Sequence, residues 1–163
     1  MLKRARAVHV AGFRASFPVA YSLVYGYRLF RNSVHLIDGQ GGGLEMQLRA
    51  IESRDTVVVV SFAPYSRESL VVLETASRIG AHVLALTDSQ ASPLALGADL
   101  SLLFSVGSPS FFPSVAAGVA LTEALLEQLV VDAGDAAVHQ LDVSESQLVE
   151  VGSYLQRPQR RPA

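Results

Sequence analysis

Thr56-Val57-Val58-Val59-Val60-Ser61-Phe62 decides the architecture. Four consecutive valines sit in this run with nothing polar between them. A strand with one wet face would alternate, so both faces here must be buried. That is the mark of a central parallel strand covered by helices on each side. The neighbouring strands are shorter and weaker. Ala7-Val8-His9-Val10-Ala11 ends at Gly12, and Val34-His35-Leu36-Ile37 ends at Asp38-Gly39. His82-Val83-Leu84-Ala85-Leu86 and Leu100-Ser101-Leu102-Leu103-Phe104 follow.

Helical periodicity fills the gaps between them. From Ser16 the apolar residues Ala20, Leu23, Val24, Tyr27 and Phe30 recur at helical spacing. Leu44, Leu48 and Ile51 predict a short helix. Leu70, Leu73 and Ala76 predict another, starting near Ser66 and stopping at Gly80. A long helix carries Val115, Val119, Thr122, Leu126 and Leu129 and stops near Gly134. Ser144-Glu145-Ser146-Gln147 reads as a capping box before Leu148, Val151 and Leu155. Strand and helix alternate five times, which predicts a three-layer α/β/α sandwich with a five-stranded parallel sheet. Right-handed crossovers favour the strand order 2-1-3-4-5. One domain is expected over 1–155, followed by a basic, proline-rich, disordered tail over 156–163.

Composition narrows the function. The 163 residues are 50% hydrophobic and 17% charged, which is incompatible with a disordered chain. The net charge of −2 does not suggest a whole chain drawn to nucleic acid or membrane. With no cysteine there is no disulfide framework, thiolate nucleophile or thiolate zinc site, which fits a cytoplasmic setting. No apolar run approaches a membrane span. The four histidines are scattered and none pairs at metal-ligand spacing, so no metal and no cofactor is expected.

In a 2-1-3-4-5 sheet the ligand crevice opens between the first and third strands, at their carboxyl ends. Gly12-Phe13-Arg14-Ala15-Ser16-Phe17-Pro18 and Ser61-Phe62-Ala63-Pro64-Tyr65-Ser66-Arg67-Glu68 lie there. Both loops end in a serine at a helix start. Each serine can cap its helix by accepting a backbone N–H; alternatively, two helix N-termini converge on one anion. Arg14 and Arg67 sharpen the second reading. A cation at a helix N-terminus is disfavoured by roughly 0.3–1 kcal/mol, and two of them at one crevice suggest an anion that offsets it. Arginine also grips phosphate or carboxylate with a bidentate fork. Gly39-Gln40-Gly41-Gly42-Gly43 lacks the lysine and hydroxyl of a phosphate loop and reads as a connection. Asp38, Asp88 and Glu68 form no acid–base pair, and the helix dipole alone explains Glu68.

At these loops the sequence resembles the SIS (sugar isomerase) domain, and within it the effector domain of RpiR/MurR transcription regulators. The resemblance is carried by the two loops above, by Thr87-Asp88-Ser89-Gln90-Ala91-Ser92-Pro93-Leu94-Ala95 and by Ser110-Phe111-Phe112-Pro113-Ser114. It implies a phosphosugar site at Ser16, Ser61 and Ser66; Arg14, Tyr65 and Arg67 complete the candidate ligand-binding set. It further implies a metabolite sensor that forms at least a homodimer and meets DNA only through a helix-turn-helix module, which this chain is expected to lack. Two departures stand out. Arg14 takes the place of the second glycine in the family's Gly-x-Gly-x-Ser, and Ala63-Pro64-Tyr65 interrupt its Ser-x-Ser-Gly-x-Thr. Both make the pocket bulkier and point to a smaller or different anion than a hexose phosphate. A sugar-phosphate isomerase is the alternative, but it needs a base at the ligand, and Glu68 is the one carboxylate in the two loops. The helix over 17–31 is apolar around much of its circumference, so it is expected to pack on a second subunit together with the helix over 115–130.

Overall fold

Five parallel strands form one sheet in the order β2-β1-β3-β4-β5. They are β1 (Val8–Gly12), β2 (Val34–Ile37), β3 (Thr56–Val60), β4 (His82–Thr87) and β5 (Leu100–Leu103). The structure is a computed structural model that describes residues 1–153. The proline-rich tail over 156–163 and Leu155 of the last helical pattern lie outside the described residues.

The valines of β3 behave as their sequence requires. Val58 and Val60 face one core with Val8, Val10, Leu84 and Leu86. Val57 and Val59 face the other with Ala11, Ile37, Val83 and Ala85. All four valines are fully buried, each contributing roughly 1.5–3 kcal/mol. The first core is roofed by α1 (Phe17–Arg28) and α5 (Ala116–Ala133). The second is roofed by α2 (Leu44–Arg49), α3 (Arg67–Ile79) and α4 (Pro93–Gly97). β3 stops at Val60, so Ser61 and Phe62 belong to the loop beyond it.

The α3 boundaries follow from their end residues. The Ser66 hydroxyl accepts the Ser69 N–H at 3.2 Å and caps the N-terminus. Gly80 closes the other end at φ 82°, a left-handed conformation that glycine adopts without a Cβ penalty.

The expected capping box fails. Ser144-Glu145-Ser146-Gln147 starts no helix: α6 runs Asp135–Glu150 and holds these residues in its interior. The Ser144 hydroxyl instead donates to the Leu29 carbonyl at 2.6 Å, tying α6 to the end of α1. Part of the wide apolar girth of α1 is accounted for inside the chain. α1 lies on the sheet with Val19, Leu23 and Val24 and is flanked by Val119, Leu125 and Leu126 of α5. Gly26 permits that approach, since a Cβ there would come within 2.4 Å of Leu126 Cδ1. Tyr21 and Tyr25 are left half exposed on the outer side.

At the amino ends of β1 and β3 lies a buried charge cluster. Asp55 has no solvent exposure. It accepts bonds from Arg6 Nε and Nη2, from the amides of Ala7 and Glu52, and pairs with His9 Nε2 at 3.1 Å. Burial pushes the Asp55 carboxyl up, but these donors together bring it below the ordinary value. Burial holds the His9 imidazole below its ordinary pKa, against the pull of Asp55.

Candidate functional site

The strand order reverses between β1 and β3, and their carboxyl ends open a crevice there. Gly12 ends β1 against Val60 of β3. The chain then makes a 3₁₀ turn over Arg14–Ser16 before α1 begins at Phe17. Arg14 stands in the left-handed region at φ 52°, where a glycine would be unstrained. It therefore opens the turn and lies ahead of the α1 terminus. Its guanidinium reaches across the crevice to Glu68 Oε1 at 3.6 Å while remaining 79% exposed. Glu68 thus does more than answer the α3 dipole, because it also pairs the two loops.

The three serines differ in what they can still offer. Ser16 is buried and does not cap α1 with its side chain. Its hydroxyl donates to the Phe13 carbonyl at 2.8 Å and accepts the Phe13 N–H at 3.2 Å. Its proton is committed to the turn, and only a lone pair is left. Ser61, also buried, accepts the Ser66 N–H at 3.3 Å. Among the described residues its hydroxyl proton meets no acceptor, so Ser61 can donate to a ligand. The Ser66 hydroxyl caps α3 and shares a 2.7 Å bond with Ser69 Oγ; it donates outward when Ser69 donates to it.

Tyr65 is held from the side of β4. Its hydroxyl donates to Asp88 Oδ1 at 3.0 Å, and the Ala63 amide donates to Asp88 Oδ2 at 3.3 Å. Burial and the Asp88 carboxylate both raise the Tyr65 pKa, so the phenol stays protonated. The Ala63–Pro64 peptide between them is cis. Thr87 donates to Ser92 Oγ, which in turn caps α4. The Thr87–Ala95 segment thus fastens the third-strand loop from behind.

Two adjoining cavities result. One, of about 200 Å³, is lined by Arg14, Ser16, Ser61 and Ser66, with walls of Phe13, Phe62, Pro64, Phe112 and Pro113. The other, of about 500 Å³, contains Tyr65, Arg67 and Glu68 with Leu44 and Val71. Arg14, Pro64 and Ser66 line both. Arg67 makes no hydrogen bond or ion pair among the described residues. Arg67 and Glu68, the first two residues of α3, line the larger cavity, and their N–H groups have no intrahelical partners. All six candidate residues therefore border these two cavities: Ser16 and Ser61 the smaller, Tyr65 and Arg67 the larger, Arg14 and Ser66 both. The segments holding Phe112, Pro113 and Asp88 carry the family resemblance in the sequence, but none of the three is among the expected ligand-binding residues; the structure makes the first two walls and the third a brace. Phe112 reaches the crevice from the connection after β5, about fifty residues beyond Ser61, and no local pattern announces it.

Among the described residues, no His, Asp or Glu side chains gather in threes that could hold a metal ion. None of their helices is long and apolar enough to cross a membrane.

A family model described as SIS domain matches residues 1–133. No curated protein matches the sequence. The fold is similar to the sugar isomerase domain of an RpiR transcription factor from Sphaerobacter thermophilus, with 27% identity and a TM-score of 0.83 over 89% of this chain and 81% of that one. It is similar to Vibrio vulnificus NanR complexed with ManNAc-6P, with 17% identity and a TM-score of 0.78 over 94% of this chain and 59% of that one. A third similar structure is the Methanococcus jannaschii protein MJ1247, described as inferring a 3-hexulose-6-phosphate isomerase function, with 14% identity and a TM-score of 0.66 over 95% of this chain and 81% of that one.

Proposed function

The chain belongs to the SIS domain family, and on that premise we propose that it is a non-catalytic sensor of an anionic sugar derivative, serving as the effector module of an RpiR-type transcription regulator. The carrying observation is that an uncommitted donor and an uncommitted charge line two adjoining cavities that share Arg14 and Ser66. Ser61 has a free hydroxyl proton, and Arg67 has a free guanidinium beside the open N-terminus of α3. A phosphate or carboxylate at the mouth takes both. Ser66 and Arg14 add to its shell, with Arg14 exchanging the long Glu68 contact for the ligand. Ser16 shapes the turn and offers its lone pair to a sugar hydroxyl. Tyr65, braced by Asp88, forms the far wall.

The sensor reading is favoured over the isomerase because an isomerase needs a base at the reacting carbons. The smaller cavity is lined by neither a histidine nor a carboxylate. Glu68 is in the adjoining one and faces Arg14. The similarity to a transcription factor at 27% identity supports the same choice.

Thermal melting with and without inorganic phosphate, sugar phosphates and sugar acids tests the site. A charge-assisted hydrogen bond is worth roughly 1.5–3 kcal/mol, about ten-fold to a hundred-fold in affinity. Arg67→Ala should lose that much affinity while the unliganded melt stays near wild type; Ser61→Ala should lose it too but melt somewhat lower without ligand, because the Ser66 N–H loses its acceptor. Arg14→Gly should lose affinity as well, yet melt no lower without ligand, because glycine holds φ 52° without strain. No stabilisation of the wild type by any anion, or mutants that keep the full ligand shift, would refute the assignment.

We also propose a second copy of the chain against the outer side of α1, where Tyr21 and Tyr25 are half exposed, along with α5. Light scattering at micromolar concentration should give at least a dimer, and a monomer would defeat this.

A further inference from the structure

We infer that Phe112 determines specificity at the crevice, its ring covering the apolar face of a cyclic sugar whose anionic end the serines and arginines hold. This rests on the sugar-derivative reading above. Three phenyl rings line the smaller cavity, and they are not equivalent. Phe13 and Phe62 are buried. Phe62 is further locked edge-to-face against Phe104, with centroids 6.0 Å apart. Their contacts are spent on the core. Phe112 is 51% exposed, so half of its ring still has hydrocarbon surface to bury.

The segment carrying Phe112 suits that task. Between β5 and α5 the chain has no regular secondary structure. It is shaped mainly by serines that turn back on nearby amides, at Ser105, Ser108, Ser110 and Ser114. One backbone bond, Ser114 N–H to the Val106 carbonyl at 3.1 Å, closes its base. Phe112 can therefore adjust without disturbing the sheet. A cyclic sugar presents a face of C–H groups beside its hydroxyl edges. Such a face gains by lying on an aromatic ring and leaving water. Inorganic phosphate has no such face, and an acyclic polyol phosphate has no fixed one. The wall therefore selects the ring form of the ligand, while the serine–arginine mouth selects its charge.

Calorimetric titration of the full chain with inorganic phosphate, glycerol phosphate and a set of hexose phosphates separates these contributions. Phe112→Ala should weaken the cyclic hexose phosphates by about ten-fold. Inorganic phosphate and glycerol phosphate should change less than two-fold. Phe112→Tyr should restore the cyclic ligands. Phe111→Ala alters a fully exposed ring that does not line the crevice but packs edge-to-face on Phe112 with centroids 6.1 Å apart, so it should weaken the cyclic ligands less than Phe112→Ala does and leave inorganic phosphate unchanged. Equal weakening of all ligands by Phe112→Ala would mean a structural role and overturn the inference. Unchanged hexose phosphate binding would overturn it too, with the mouth still standing as an anion site. If the wild type bound none of these ligands, the site reading would fall, and this inference with it.

Discussion

Asp55→Ala is expected to be the most damaging single substitution in the chain, costing about 3–5 kcal/mol and lowering Tm by about 10 °C. The carboxylate is fully buried and accepts from five donors on two segments. It joins the residues leading into β1 to those leading into β3. Its removal leaves the buried His9 ring and the amides of Ala7 and Glu52 without their acceptor, and an unpaired buried polar group costs more than the bond itself contributed. Asp55→Asn keeps the shape and one acceptor oxygen, so it should fall between wild type and alanine. Chemical denaturation of the three proteins gives the answer. An alanine variant within 1 kcal/mol of wild type would show that the cluster contributes little.

The same cluster fixes the acid sensitivity. His9 is held neutral in the folded chain, with a pKa below its ordinary value. The unfolded chain takes up that proton near pH 6.5. Stability is therefore full above about pH 6.5 and falls as the pH drops from there toward the folded pKa of His9. A second loss follows below about pH 4, because the Asp55 pKa is also depressed and the unfolded carboxyl protonates first. Other charges face the ring from neighbouring segments: Arg6, which lowers the pKa further, and the exposed His35, whose ring centroid is 5.1 Å away. His9→Gln should flatten the upper part of the profile and leave the lower part.

What was legible in the chain follows from how local each cause is. The β3 valines reveal the buried central strand because both faces are encoded within five residues. Ser66 and Gly80 mark α3 for the same reason: a cap and a left-handed stop are each properties of one residue in its own turn. Ser16 misleads because its spacing before α1 suits a cap, yet its hydroxyl turns back to Phe13, three residues earlier. Ser144-Glu145-Ser146-Gln147 misleads likewise. The motif has a capping pattern, but α6 already begins at Asp135, and its Ser144 is engaged by Leu29 from 115 residues away. Arg14 is legible as an arginine beside a crevice but not as the partner of Glu68, because that pair forms only when two crossovers bring the loops together. The Phe112 wall is hidden for the same reason. Strand order thus carries the position of the site, while the states of its side chains depend on contacts across the fold.

Gly12→Ala is expected to damage both stability and binding, because the site depends on how closely α1 approaches the end of β1. A Cβ at Gly12 would lie 2.4 Å from Ala20 Cβ and 3.0 Å from the Ser16 carbonyl oxygen. Neither neighbour can swing aside, since one is a methyl fixed to the helix and the other is backbone. The first turn of α1 must shift as a unit, and overpacking of this kind costs about 1–3 kcal/mol. The shift would carry Arg14 and Ser16 away from Ser61 and Ser66 across a cavity of only about 200 Å³, so anion affinity should fall with stability. Gly26→Ala is the useful contrast. Its Cβ would also come within 2.4 Å of a neighbour, but that neighbour is Leu126 Cδ1, the free end of a side chain that can change rotamer. It should cost less than Gly12→Ala and leave anion affinity intact. The double substitution Gly12→Ala, Ala20→Gly removes the opposing methyl. It should recover affinity even while a glycine inside α1 costs about 1 kcal/mol. Melting and phosphate titration of these proteins together with Ala20→Gly alone would reveal that coupling. If Gly12→Ala bound and melted like wild type, the approach of α1 to β1 would not be what sets the crevice.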